Sequence, residues 1–194
     1  MRLLLKPAPK QRNVDRLADL DILSRIREIN PLTTVTHHPI VETATLHWPD
    51  EAACARAACA LASLGPREAV IHLEGELGAG KTTFTRHLLQ AMGVKGRIKS
   101  PTYAVLQTYD LGWAVSHFDF YRFRDPQEWV DAGFRDVFAA PGLKVCEWPE
   151  RARGLMPEAD LELNLQIDAD EGRRVQARAM SPTGRQMLQA LVSA

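Results

Sequence analysis

Ala69-Val-Ile-His-Leu-Glu-Gly-Glu-Leu-Gly-Ala-Gly-Lys-Thr-Thr-Phe84 joins three local signals in the order strand, glycine loop, helix. Ala69 to Leu73 is a short apolar run of buried-strand type, and Thr82 to Met92 carries helical spacing up to a stop at Gly93. Between them the pattern G-x-x-x-x-G-K-[ST] is filled by Gly75, Gly80, Lys81 and Thr82. The glycines let the backbone curl so that successive N–H groups point inward, and the dipole of the following helix favours negative charge there. Lys81 is placed to reach the β and γ phosphates of a nucleotide, and the Thr82 hydroxyl to ligate Mg2+. Strand, loop and helix in this order are the context the motif requires, and they predict a nucleoside triphosphate site with magnesium.

Upstream of this stretch, Thr43 to Trp48 reads as a strand. Asp50 is then a plausible N-cap for a helix from Ala52 to Leu64, stopped by Gly65-Pro66. Downstream, Tyr103 to Tyr109 and Trp113 to Asp119 read as strands joined at Asp110-Leu-Gly112. Asp125 to Phe138 is helical in spacing, and Leu143-Lys-Val-Cys-Glu147 is a further strand. Leu161, Leu163, Leu165 and Ile167 alternate strictly, as do Val175, Ala177 and Ala179 beyond the turn Asp170-Glu-Gly172. These last two runs predict an antiparallel hairpin with one buried face. The fold class is α/β: a P-loop NTPase-like mixed β-sheet flanked by helices, with a C-terminal antiparallel hairpin. Residues 41–194 are expected to form that domain. Residues 1–40, rich in Arg, Lys, Pro and Asn, read as an extension that is poorly ordered or holds a short helix over Val14 to Ile29.

Bulk composition narrows the function. The 194 residues are 45% hydrophobic and 25% charged, which suits one soluble globular domain. Lys plus Arg and Asp plus Glu both number 24, so the formal net charge is zero. That balance argues against a stand-alone nucleic-acid binder, which would need an excess of phosphate-neutralising cations. The three cysteines, Cys54, Cys59 and Cys146, have no C-x-x-C spacing and read as reduced thiols, in keeping with the cytoplasm. No apolar run approaches the ~20 residues that span a bilayer, and no secretory signal is apparent at the start.

Hydrolysis needs more than a phosphate loop. Two carboxylates stand at strand ends: Asp119, closing Ser116-His-Phe-Asp119, and Glu147. Ligands of open sheets gather outside the carboxyl ends of parallel strands, where the glycine loop also lies. Ser100-Pro-Thr102 sits in the basic connection after the loop's helix, a position from which hydroxyls contact metal or γ-phosphate in switching hydrolases. His72 reads as a core or edge residue, and His117 falls within reach of the site without zinc-like spacing. His37-His38 belongs to the extension.

Four blocks together resemble one family closely: Gly75 to Arg86, Lys99-Ser-Pro-Thr-Tyr103, His117-Phe-Asp-Phe-Tyr-Arg122 and Glu147-Trp-Pro-Glu150. In order and spacing they are similar to the bacterial tRNA threonylcarbamoyladenosine biosynthesis ATPases, the TsaE (YjeE) family, from about Val41 onward. The resemblance implies an ATPase needed for the threonylcarbamoyl modification of the adenosine next to the anticodon in tRNAs reading A-starting codons. It implies work through the TsaD and TsaB proteins, with tRNA met only through that complex and no membrane involved. It further implies that Gly78, Ala79, Gly80, Lys81, Thr82 and Thr83 cradle the phosphates of ATP and that Thr82 and Glu147 hold Mg2+. Asp119 would act on the metal shell or orient water, Trp148 would sit beside the metal site, and Arg173 would contact nucleotide. Phe120 stands where an aliphatic residue is usual and keeps the position apolar. The extension before Val41 has no counterpart in the short members. Two other readings use the same loop. A small-molecule or nucleotide kinase would need an arginine-rich lid, for which Arg151 and Arg153 are the candidates. A GTP-dependent switch would need an Asn/Thr-Lys-x-Asp segment, and none is found.

Overall fold

The computed structural model describes residues 41–194; the extension, its expected helix over Val14 to Ile29 and His37-His38 lie outside the described residues. In chain order come β1 (Glu42–Trp48), α1 (Glu51–Ser63), β2 (Ala69–Glu74), α2 (Lys81–Ala91), β3 (Leu106–Asp110), β4 (Ala114–Asp119), α3 (Pro126–Asp131) and α4 (Phe134–Ala139). Then follow β5 (Leu143–Glu147), a 3-10 turn (Pro149–Ala152), β6 (Leu161–Ile167), β7 (Arg173–Ala179) and α5 (Pro182–Val192). The strands make one sheet in the order β1-β7-β6-β2-β5-β4-β3. β2 runs parallel to β5 and β6, and β4 parallel to β5. The edges are antiparallel: β1 on β7, β7 on β6 and β3 on β4. The mixed sheet and the C-terminal hairpin expected from the sequence are both present.

Burial explains the two kinds of strand. β5 is buried at every residue, so both of its faces are covered and its sequence does not alternate. β6 and β7 are covered on one face only. Leu161, Leu163, Leu165, Val175, Ala177 and Ala179 turn inward, while Glu162 and Arg178 pair outside at 2.8 Å. On the inward face, Leu61 of α1, Phe84 and Leu88 of α2 and Leu188 of α5 share one core cluster with Ile71, Leu73 and Val145. Each such side chain, fully buried, contributes roughly 1.5–3 kcal/mol. The opposite face of β4 and β5 carries Phe118 and Cys146, which join an aromatic cluster with Phe120, Trp129 of α3 and Phe134 of α4. Phe120 stacks on Phe118 with ring centroids 5.4 Å apart, so the position remains apolar as expected. Because side chains alternate along a strand, committing Phe118 and Cys146 to that cluster turns His117, Asp119 and Glu147 toward α2.

Three boundaries differ from the sequence reading. The strand expected from Tyr103 begins at Leu106, because Val105 has φ 63° and its N–H donates back to the Pro101 carbonyl at 2.6 Å. The single helix expected over Asp125 to Phe138 is two, broken where Gly133 takes φ 65°. The helix α5 was not expected at all. Ser181 caps it by accepting from the Gly184 N–H at 3.0 Å, and Met187, Leu188 and Leu191 bury its inner face. The thiols are free: Cys54 and Cys146 are buried as small apolar residues, whereas Cys59 is exposed. His72 lies in the core, and burial pushes its ring down to about 4, so it is neutral near pH 7.

Gly184 makes α5 possible in this position, since a Cβ there would overlap the carbonyl oxygen of Asp160. Gly184→Ala is therefore expected to destabilise the fold by about 1–3 kcal/mol. Urea unfolding would read this as a lowered midpoint, and an unchanged midpoint would mean that α5 shifts freely on the sheet.

Candidate functional site

The glycine loop joins β2 to α2 with Gly75, Gly78 and Gly80 at φ 132°, 85° and 107°, values that side chains with a Cβ rarely adopt. At Gly75 a Cβ would also collide with the Leu165 carbonyl of β6. Gly80 occupies the N-cap of α2, where no side chain accepts from the first-turn N–H groups. Those donors are left for an anion held by the curled loop.

Lys81 is 4% exposed. Its Nζ donates to the Gly75 carbonyl at 2.6 Å and to that of Glu76 at 2.8 Å, and lies 3.7 Å from the centroid of the Trp148 ring. Burial lowers its pKa from the ordinary lysine value, while Glu147, Glu150, Asp119 and Glu76 pull it back up. Trp148 follows β5 directly and takes φ 57°. Its N–H donates to the Leu73 carbonyl at 3.2 Å, and its ring lies 5.0 Å from that of Tyr121. The tryptophan thus closes one side of the lysine's enclosure.

Asp119 and Glu147 stand directly opposite each other at the ends of parallel β4 and β5. Their partners separate their roles. The Thr82 hydroxyl donates to Oε2 of Glu147 at 2.8 Å, and Nε2 of His117 lies 2.7 Å from Oε1. Thr82 and Glu147 thus form an oxygen pair at the foot of the glycine loop. Hard oxygen donors of this kind, one neutral and one anionic, suit Mg2+. Asp119 is engaged differently. Its Oδ2 accepts from the hydroxyls of Ser100 and Thr102, the latter at 2.8 Å, and its Oδ1 accepts from the Tyr121 N–H at 2.9 Å. A second tie joins the same two segments, with Arg122 4.2 Å from the Tyr103 ring centroid. The connection after α2 is therefore anchored to the carboxylate beside Glu147.

Arg173, at the start of β7, reaches the loop from the far side. Its Nε donates to the Ala79 carbonyl at 2.7 Å and Nη2 to that of Gly78 at 3.3 Å. It lines a cavity with Ala79, Gly80, Thr83, Trp48, Asp50 and Cys54. The structure therefore brings every sequence-expected site residue to one end of the sheet: Gly78, Ala79, Gly80, Lys81, Thr82, Thr83, Asp119, Glu147 and Arg173. The wall formed by Trp48 and Asp50 was not foreseen. Trp48 ends β1 and Asp50 caps α1 through the Ala53 N–H at 2.7 Å, so sequence alone assigns both to structure. Arg151 and Arg153 are exposed and lie in and just after the 3-10 turn.

Comparison with known proteins bears on the same region. The family model described as Threonylcarbamoyl adenosine biosynthesis protein TsaE matches residues 48–175, from the end of β1 into β7. The protein named tRNA threonylcarbamoyladenosine biosynthesis protein TsaE in Haemophilus influenzae is 37% identical over 156 residues, covering 77% of this chain and 98% of its own length. Its namesake in Bacillus subtilis is 33% identical over 107 residues, covering 55% of this chain and 66% of its own. The crystal structure of YdiB from Bacillus subtilis superposes with a TM-score of 0.66 at 22% identity, covering 78% of this chain and 95% of that one. At that identity the likeness speaks for the fold alone.

Proposed function

This chain belongs to the TsaE family of threonylcarbamoyl adenosine biosynthesis proteins, and on that premise we propose that it is a Mg2+-dependent ATP hydrolase. Its hydrolysis supports threonylcarbamoylation of the adenosine next to the anticodon in tRNAs reading A-starting codons. The observation that carries the hydrolase reading is the 2.8 Å contact between the Thr82 hydroxyl and the Glu147 carboxylate, which joins the phosphate loop to a strand-end acid. In this reading Gly78 to Thr83 surround the phosphates, with Lys81 as the charge clamp. Thr82 and Glu147 would hold Mg2+, which supplies charge neutralisation on the phosphate oxygens when bound. Asp119 positions the Ser100–Thr102 segment through its Oδ2 and so orders the connection beside the reacting phosphate. Arg173 braces the loop carbonyls of Gly78 and Ala79 and lines the cavity next to them, where the remainder of the nucleotide is accommodated.

The chain acts, in this proposal, in the cytoplasm through the TsaD–TsaB pair, and tRNA is reached only within that complex. A zero net charge suits a protein that works through protein partners. Among the described residues no helix is long and apolar enough to cross a membrane. Two measurements test the reading. Phosphate release from ATP is expected without any added acceptor, and strict dependence on an acceptor would move the assignment to a kinase. Pull-down with TsaD and TsaB is expected to depend on ATP, and no association with or without nucleotide would remove the partner assignment.

A further inference from the structure

His117 precedes Asp119 by two positions on β4, on the same face of the strand. Its ring is 0% exposed, and Nε2 stands 2.7 Å from Oε1 of a carboxylate that is itself only 2% exposed. Nδ1 is buried with no hydrogen-bond partner. As a metal ligand Glu147 would offer carboxylate oxygens, which only accept, and the partner that suits Oε1 is an N–H at Nε2 of the ring. A bare nitrogen in a dry interior is unfavourable, and an aliphatic side chain would avoid it. The compensating gain is the contact with Glu147. That residue has two side-chain donors, His117 on Oε1 and Thr82 on Oε2.

We propose that His117 is a positioning residue for the Thr82–Glu147 pair. Its Nε2–H holds Oε1 inside the sheet, so the flexible glutamate turns its other oxygen outward to Thr82 and to a divalent cation. Partners of this kind fix a metal ligand's orientation, and their loss commonly weakens metal binding by about 10–100-fold. The inference rests on the Mg2+ site proposed above and extends it to a residue behind the ligands.

The test uses the full chain with ADP, reading Mn2+ binding by electron paramagnetic resonance. His117→Leu is expected to raise the Mn2+ dissociation constant by about 10–100-fold, with ADP affinity in a chelator nearly unchanged. His117→Gln, whose side-chain amide offers a donor at a similar reach, should recover most of the loss. Wild-type Mn2+ affinity in His117→Leu, or equal impairment of the leucine and glutamine variants, would overturn the proposal. Because leucine at a fully buried position disturbs packing, the unaltered chain is measured as well. Nitrogen-15 spectra should show the ring protonated at Nε2, with a signal that moves when Mg2+ and ADP are added; a ring protonated at Nδ1 alone would also overturn the proposal. Failure of the hydrolase reading would be separately visible, as a wild-type chain that releases no phosphate while its Mn2+ affinity still depends on His117.

Discussion

Lys81→Ala is expected to weaken ATP binding by about 10–100-fold, the ~1.5–3 kcal/mol that a hydrogen bond to a charged group carries. Turnover should fall with it. The lysine is already held in place by the Gly75 and Glu76 carbonyls and by the face of Trp148. Little further ordering is then required when phosphate arrives. Folding should suffer less, because Glu76 is exposed and water replaces the lost donor at its carbonyl. Lys81→Arg is not a conservative substitute, since a planar guanidinium does not fit between two carbonyls and an indole face built around an ammonium. Calorimetric ATP titration checks the first claim and thermal melting the second. Wild-type ATP affinity in Lys81→Ala would take the loop out of the nucleotide site.

Glu147→Ala should separate chemistry from binding. Mg2+-dependent phosphate release is expected to drop by about 10²–10³, the range seen when charge stabilisation in the transition state is lost, here through the Mg2+ that Glu147 would hold. ADP binding in the presence of a chelator should change little, because the hydrogen bond from the Thr82 hydroxyl is what ties Glu147 to the loop and the charge clamp Lys81 remains. Stability should fall too. The substitution strands the fully buried His117 Nε2–H, at about 1–3 kcal/mol for an unsatisfied buried group, whereas the half-buried Thr82 hydroxyl can turn to water. The two variants thus fail differently: Lys81→Ala in binding, Glu147→Ala in turnover and melting temperature. Unchanged turnover in Glu147→Ala would remove it from the metal shell.

Much of this was readable from short stretches of chain. The glycine loop, the Asp50 cap, the buried run of β5 and the alternation of β6 and β7 are all patterns of neighbouring residues. The sequence also contains signals for two features beyond these patterns. Ser181-Pro182 followed by Met187, Leu188 and Leu191 at helical spacing marks α5, and Gly133 marks the break between α3 and α4. The start of β3 is set by contacts that neighbouring residues do not reveal. Tyr103 to Val105 has the composition of a strand, but the hydroxyls of Ser100 and Thr102 are drawn to Asp119, far along the chain, and the segment turns instead.

By itself, the sequence determined that a phosphate loop sits between a strand and a helix, and that two acids close strands in an α/β sheet. Such features depend on spacing within one turn of helix or one run of strand. The tertiary structure alone decided which oxygen meets which donor. Asp119 and Glu147 look equivalent as strand-end carboxylates, yet one holds the Ser100–Thr102 segment while the other joins Thr82 and His117. That division depends on the register of β4 against β5 and on which face the aromatic cluster occupies. Register follows from burial across the whole sheet, because a slip of one residue would turn every side chain to the opposite face.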